Sequence, residues 1–302
     1  MNDKRRGPPA RFRCPACNSE VVLRDVTSPV SCTACAATFA TDDGIVALTP
    51  PPSDRDYPHD LVDLVAEVES RHFWFTARND VIVSTLQRTL APPRGTRALD
   101  VGCGTGFVMA ALEKAGLEAA GIDMHRSALL RARARVGGPL FASTATTLPF
   151  FPDFDIVTLF DVIEHVDDDV GVLAQARGAL VPHGHVVVTV PAGPNLWTTY
   201  DEVIGHKRRY TRATLVAALE KAQFDVRDVH YFNAALFLAG VVRRFGSGRG
   251  EAADRVKTVQ RALRVPPEPL NMLFRWSVRA EAPLRRFSWL RGGSLLAVAR
   301  SR

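Results

Sequence analysis

Leu99-Asp100-Val101-Gly102-Cys103-Gly104-Thr105-Gly106-Phe107 decides how this 302-residue chain folds. Glycines at alternate positions past an apolar strand remove every Cβ that would block a ligand lying across the strand end. They also permit positive φ. The helix that follows offers free N–H groups to an anion. About 20 residues on, Gly121-Ile122-Asp123 closes a second strand with a carboxylate, where such folds hold the two ribose hydroxyls of an adenosyl ligand. The spacing is G-x-G-x-G, not the G-x-G-x-x-G of nicotinamide enzymes, so no third glycine brings helix and strand together around a pyrophosphate.

Outward from that turn, strands and helices alternate. Segments 97–101, 117–122, 140–143, 154–160, 185–190 and 225–232 read as strands, and 106–115, 127–136, 167–180 and 212–223 as helices. Near-continuous apolar strands separated by amphipathic helices predict an α/β fold with a doubly wound, mostly parallel sheet. Its ligand belongs beyond the carboxyl ends of the strands, at the switch point. Upstream, Leu61, Leu64, Val65, Val68, Val81, Ile82 and Leu86 keep helical spacing. Between them lies Arg71-His72-Phe73-Trp74-Phe75-Thr76-Ala77-Arg78, whose three adjacent aromatics cannot all face one core. Ordinary packing and cover over a planar or greasy ligand are the two readings.

Cys14-Pro15-Ala16-Cys17 and Cys32-Thr33-Ala34-Cys35 are two C-x-x-C knuckles with 14 residues between them. In a cytosolic chain this spacing means zinc far more often than disulfides. Four thiolates close a tetrahedron about one Zn²⁺ and leave no open position, so the expected ion is structural. Segments 20–24 and 38–40 are the expected hairpins of a zinc ribbon. A unit of about 40 residues buries too little core to stand alone, so the metal supplies its folding free energy. Cys103 stands apart and reads as an unreactive small residue.

Asp100-Val101-Gly102-Cys103-Gly104-Thr105-Gly106 with Asp123 is similar to the cofactor site of class I S-adenosylmethionine-dependent methyltransferases. The likeness continues through Leu148-Pro149-Phe150, Phe154-Asp155-Ile156-Val157 and Asp161-Val162-Ile163-Glu164-His165-Val166, and resumes at Val188-Thr189-Val190-Pro191-Ala192. It spans roughly residues 70–233. His72-Phe73-Trp74-Phe75 with Arg78, and Gly205-His206-Lys207-Arg208-Arg209-Tyr210-Thr211, resemble a bacterial subgroup often encoded with polysaccharide, lipid or secondary-metabolite enzymes. Residues 292–299 resemble the family's last, antiparallel strand. The resemblance implies a Rossmann-like sheet and S-adenosyl-L-methionine as cofactor. It places Asp100, Gly102, Gly104, Gly106, Asp123 and Asp161 in the cofactor site, with Arg78 reaching the cofactor's carboxylate from an overlying helix. Two departures stand out. Thr144 occupies the place of an aspartate that touches the adenine amine, and Val181-Pro182-His183-Gly184 replaces a Lys-Pro-Gly-Gly turn.

Methyl transfer is an in-line displacement at a sulfonium carbon, so the enzyme mainly holds a nucleophile about 3 Å away and in line. A hydroxyl nucleophile also needs its proton removed or a cation nearby. Asp161, Glu164 and His165, at i, i+3 and i+4, are expected to share one face of a helical turn. His165 is then the general base, or a structural residue bonding a loop carbonyl. Ubiquinone-pathway and plant small-RNA O-methyltransferases resemble this segment. That resemblance implies Mg²⁺ or another divalent ion at Asp161, Glu164, His165 and His206, with Asp in place of the first Glu. Arg208, Arg209 and Tyr210, beyond the fifth strand, and Trp74 are the expected acceptor contacts. A solvated, positively charged loop is the alternative.

With 46% apolar and 23% charged residues, disorder, fibrous repeats and a membrane bundle are excluded. No apolar run reaches the roughly 18–20 residues of a bilayer span. Asn2-Asp3-Lys4-Arg5-Arg6 runs into prolines and does not read as a secretory signal, so a cytoplasmic protein is expected. The net charge of +6 is uneven, because residues 240–302 carry 14 Arg and Lys against four Asp and Glu. Such a stretch suits phosphate, nucleic acid, anionic lipid or plain solvent. Segments 233–244 and 269–286 are expected helices of an insertion, either a lid over the substrate pocket or a membrane-surface helix. The expected plan is a zinc ribbon over 1–50, lid helices over 51–96, the cofactor-binding core over 97–233, and the insertion with the last strand over 234–302. Pro50-Pro51-Pro52-Ser53-Asp54 marks the first boundary.

The leading expectation is O-methylation of a small-molecule, sugar or lipid-linked acceptor. An RNA methyltransferase is the alternative, because a ribbon ending Asp43-Gly44-Ile45 before Leu48-Thr49-Pro50 resembles rRNA-modifying enzymes. A non-catalytic scaffold is the third reading. No Asn/Asp-Pro-Pro-Tyr/Phe follows the fourth strand, which disfavours N-methylation of bases.

Overall fold

Nine strands form the central sheet of the computed structural model, which describes residues 11–23, 29–49, 59–234, 255–281 and 291–302. Two hairpins open the chain, β1 (Arg11–Arg13) with β2 (Glu20–Val22) and β3 (Val30–Ser31) with β4 (Thr38–Phe39). Then come β5 (Thr41–Asp42), β6 (Ile45–Ala47), α1 (His59–Val68) and α2 (Phe73–Thr89). The alternating core is β7 (Arg97–Val101), α3 (Phe107–Lys114), β8 (Glu118–Asp123), α4 (Arg126–Arg133), β9 (Leu140–Ala142), β10 (Phe154–Phe160), α5 (Asp169–Ala179) and β11 (Leu180–Pro191). It is followed by α6 (Thr199–Val203), α7 (Arg212–Lys221), β12 (Phe224–Phe232), α8 (Arg255–Ala262), α9 (Glu268–Ala280) and β13 (Ser294–Ser301).

The sheet order is β12-β13-β11-β10-β7-β8-β9-β6-β5. β13 runs antiparallel to both of its neighbours, as the family resemblance implies, while β10, β11, β7, β8 and β9 pair in parallel. The winding runs outward from β7 to β9, then returns to place β10 on the other side of β7. The switch point therefore lies beyond Val101 and Phe160. Both strands are apolar and buried on each face, so their register is fixed by the helices that cover them.

The N-terminal hairpins share a core with the sheet. Phe12 is fully buried, edge-on to Phe39 at 5.1 Å and to Phe141 of β9 at 6.2 Å between ring centroids. Phe12 also bridges Phe150, and Arg11 forms an ion pair with Asp153. Beyond the cysteines, β6 pairs in parallel with β9, Ile45 opposite Leu140, so residues 41–47 extend the central sheet.

The expected helical turn over 161–165 is not formed. Asp161 has a left-handed φ of 57° and bends the chain out of β10 into a run of turns. α5 starts only at Asp169, where Asp168 caps it by accepting from the Gly171 N–H at 2.8 Å. Of the expected insertion, residues 235–254 with Arg285 and Arg286 lie outside the described residues, as does the 50–54 linker. Within it, α9 rests on α2 through Asn271, which accepts from the Phe73 N–H at 2.9 Å and donates to the Arg71 carbonyl at 2.8 Å. Among the described residues, no helix is long and apolar enough to cross a membrane.

Candidate functional site

Three glycines turn the chain from β7 into α3, all with positive φ. Two serve packing. A Cβ on Gly102 would stand 2.5 Å from Val162 Cγ2, and one on Gly106 would stand 2.9 Å from Ala132 Cβ. Gly104 differs, with φ of 54° and nothing within 4 Å of its would-be Cβ, because it faces open space. That space is a cavity of about 260 Å³ at the switch point. Gly102, Gly104 and Thr105 form its floor, Asp100 and Asp123 one side, and Phe160 and Asp161 the other. Val62 and Val65 of α1, with Trp74, Phe75 and Arg78 of α2, cover it.

Asp123 accepts from the Gly104 N–H at 2.9 Å and from the His125 N–H at 2.8 Å, which fixes the shape of the turn. Burial nonetheless raises its carboxyl above the ordinary range. Asp100 is 1% exposed, accepts from the Thr158 hydroxyl at 2.7 Å, and is pushed up to about 7 by burial. Burial raises the Cys103 thiol too, consistent with an inert residue. Gly106 caps α3 and does not line the cavity. Neither does Thr144, whose hydroxyl pairs with that of Thr146 at 2.9 Å.

Arg78, which lines the cavity, meets a protein carboxylate. Its Nη2 lies 2.7 Å from Asp161 Oδ2, while the Thr189 hydroxyl donates to Asp161 Oδ1 at 3.0 Å. The four-residue metal set implied by the resemblance is corrected on this point, because the Asp161 carboxylate is occupied. Glu164, His165 and His206 do come together, with one ligand atom from each within 4.8 Å of the others. Glu164 is fully buried and neither carboxylate oxygen has a hydrogen-bond partner among the described residues. Burial, then the nearby Asp161, pushes its carboxyl well up. Burial, then His206, pushes His165 down to about 4, so its imidazole is neutral at ordinary pH. The two imidazoles meet edge-on at 4.7 Å, and His206 Nδ1 is fixed by Asp201 Oδ1 at 2.8 Å.

The cationic loop that follows, where the acceptor contacts are expected, is tied to the protein by its own side chains. Arg209 makes a two-pronged pair with the buried Asp201 at 2.7 and 2.8 Å. Arg208 donates to the carbonyls of Val166 and Asp167 and pairs with Asp169 at 3.1 Å. Tyr210 is 2% exposed and donates to Asp169 at 2.7 Å. These side chains shape the loop that carries His206. Trp74, by contrast, lines the cavity while stacking on Phe232 at 6.0 Å. The aromatic run thus divides its work: Phe73 packs on Phe274, whereas Trp74 and Phe75 face the cavity.

Cys14, Cys17, Cys32 and Cys35 form a second cluster. The Sγ separations are 3.7 Å for Cys14 and Cys35 and 3.6 Å for Cys17 and Cys32. A tetrahedron with Zn–S bonds of about 2.3 Å has edges of about 3.8 Å, so the four sulfurs fit such an ion. One residue gave no sign in the sequence: Glu69, just past α1, lines the cavity and bonds to Thr105 of the glycine turn.

Residues 99–188 match the family model of a methyltransferase domain. The ubiquinone biosynthesis O-methyltransferase of Ralstonia nicotianae is 34% identical over 115 residues, covering 36% of this chain and 48% of that protein. Its Methylococcus capsulatus counterpart is 36% identical over 99 residues, covering 30% and 42%. The chain spans about half the length of the curated relatives it matches. Among solved structures, Haemonchus contortus phosphoethanolamine N-methyltransferase 2 in complex with S-adenosyl-L-methionine is similar, with TM-score 0.55, 17% identity and coverage of 82% of this chain and 58% of that one. The [4+2]-cyclase SpnF gives TM-score 0.54, 17% identity and coverage of 84% and 97%. At that identity the structures show a shared fold alone. Sheet order, glycine turn and family match agree: residues 99–188 match a methyltransferase domain and lie on a Rossmann-like, mostly parallel sheet whose last strand is antiparallel.

Proposed function

We propose that the protein transfers a methyl group from S-adenosylmethionine to a hydroxyl of a small-molecule acceptor. One observation carries this reading: Glu164 and His165, three and four residues past Asp161 of the cavity wall, gather with His206, and neither Glu164 oxygen has a hydrogen-bond partner among the described residues. Hydroxyl activation needs such a group; methylation of an already nucleophilic sulfur or amine does not.

The cavity suits the cofactor. Gly104 leaves a place that any Cβ would fill, and Asp123 stands where ribose hydroxyls would be held. Trp74 and Phe75 exclude water from above. When bound, S-adenosylmethionine supplies a methyl group made electrophilic by its sulfonium charge. Glu164, His165 and His206 suit a hard or borderline divalent ion, which would supply charge that lowers the acceptor hydroxyl's pKa. His165 contributes a neutral imidazole, one ring nitrogen bonded to the Gly205 backbone and the other left to serve as a ligand, so the hydroxyl proton would leave to solvent. Cys14, Cys17, Cys32 and Cys35 would hold a structural zinc, away from the chemistry. α9 exposes Leu270, Met272, Leu273 and Trp276, with Trp276 67% exposed, and this favours an acceptor attached to a lipid over a fully polar one.

Methyl-labelled cofactor incubated with separated small-metabolite, lipid and RNA fractions tests the reading. Label is expected in the metabolite or lipid fraction, and label confined to RNA would overturn it.

A further inference from the structure

We propose that Glu69 is a positioning residue for the cofactor: its buried carboxylate ties the α1–α2 hairpin to the glycine turn and so sets how tightly the cavity holds its ligand. The inference rests on the cofactor reading above and adds a residue to it.

Glu69 is 3% exposed. The Thr105 hydroxyl lies 2.8 Å from its Oε1 and 2.7 Å from its Oε2, and Arg135, just past α4, forms an ion pair with Oε1. Arg135 also reaches the Ala66 carbonyl at 3.4 Å and the Thr105 carbonyl at 3.4 Å. One guanidinium thus joins the end of α1, the glycine turn and the end of α4. A second pair, Arg131 with Asp63 at 2.7 Å, repeats the α4-to-α1 link on the surface.

The rest of the contact made by α1 is apolar. Leu64, Val65 and Val68 pack with Val203, Val259 and Leu263, and Val65 also lines the cavity. Apolar contact is non-directional and does not fix the hairpin in register over the cavity. The Glu69 carboxylate does, because its hydrogen bonds are directional and charge-assisted. Its anchor, Thr105, lies between Gly104 and Gly106, so displacing Thr105 shifts the backbone on which the ligand would lie. Glu69 is not grouped with Glu164, His165 and His206, so it acts on ligand retention and not on proton transfer.

The test uses S-adenosylhomocysteine as probe, with affinity measured by calorimetry on the full chain and hydrogen exchange followed over residues 62–72. Thr105→Val removes the hydroxyl, Thr105→Ser restores it, and Glu69→Gln removes the charge. Losing a hydrogen bond to a charged group corresponds to about a 10–100-fold weaker affinity. That loss is expected for Thr105→Val and Glu69→Gln, with faster exchange over 62–72, and Thr105→Ser is expected to restore both. Equal affinity in wild type and Thr105→Val, or a loss that serine does not restore, would overturn the proposal. Failure of the wild type itself to bind would instead overturn the cofactor reading beneath it.

Discussion

Arg78 and Asp161 face each other at 2.7 Å across the wall of the cavity, joining the covering helix α2 to the end of β10. The aspartate holds this position with φ of 57°, a conformation costing about 1 kcal/mol that Asp tolerates better than most residues. The Thr189 hydroxyl at 3.0 Å and the Asp161 N–H donating to the Thr189 carbonyl at 2.9 Å keep it there. Arg78 is the more buried partner, with its side chain 9% exposed against 31% for Asp161. Asp161→Asn, which keeps the turn but leaves a buried cation uncompensated, is expected to destabilise by about 2–3 kcal/mol. Arg78→Met is expected to cost less, because water reaches the stranded carboxylate. Urea melts of both variants and of the double variant check this, and strictly additive losses would contradict it.

Gly102 and Gly104 are expected to respond differently to alanine. Gly102→Ala drives a methyl into Val162 and should lower stability by about 2 kcal/mol or more. Gly104→Ala meets no protein atom, so it carries only the strain of positive φ, about 1 kcal/mol, yet fills the place kept for the ligand. Its expected signature is a modest drop in Tm with a large loss of S-adenosylhomocysteine affinity. A small loss of affinity alongside a large drop in Tm would contradict the assignment.

The N-terminal hairpins are expected to unfold together with the sheet. Phe12 shares one core with Phe141 and Phe150, and Phe12→Ala should cost about 3–5 kcal/mol. Cys14→Ser, or zinc removal by a strong chelator, should therefore lower the single calorimetric transition of the whole chain. An independent ribbon would instead lose a small transition of its own and leave the main one unmoved.

What the sequence made legible was local. The glycine turn, the carboxylate ending β8 and the paired cysteine knuckles all act over a few residues, so their spacing carried their geometry. Glu164 and His165 were legible as neighbours, but the left-handed Asp161 was not, because the tertiary pair with Arg78 overrides the helical spacing. Arg208, Arg209 and Tyr210 looked free because their partners, Asp201 and Asp169, lie up to 41 residues away. Glu69 gave no signal at all, as its partners are 36 and 66 residues distant. The edge pairing of β6 with β9 was equally hidden, since two or three residues of apolar sequence do not identify a strand's neighbour.

Stability should depend on pH through Asp100. Its carboxyl is raised to about 7 by burial, so the folded protein binds this proton more tightly than the unfolded chain does. The contribution is fully present below about pH 4 and is lost as pH rises toward 7, with a slope of up to about 1.4 kcal/mol per pH unit. Ligand-free Asp100→Asn is expected to lack that slope in denaturant melts between pH 5 and 8. Identical slopes in variant and wild type would contradict it.

Calorimetric titration of the wild-type chain with S-adenosylmethionine and S-adenosylhomocysteine tests the whole reading most directly. One saturable site per chain for each ligand is expected, abolished or strongly weakened in Gly104→Ala; absence of binding by either ligand would contradict the assignment of the cavity.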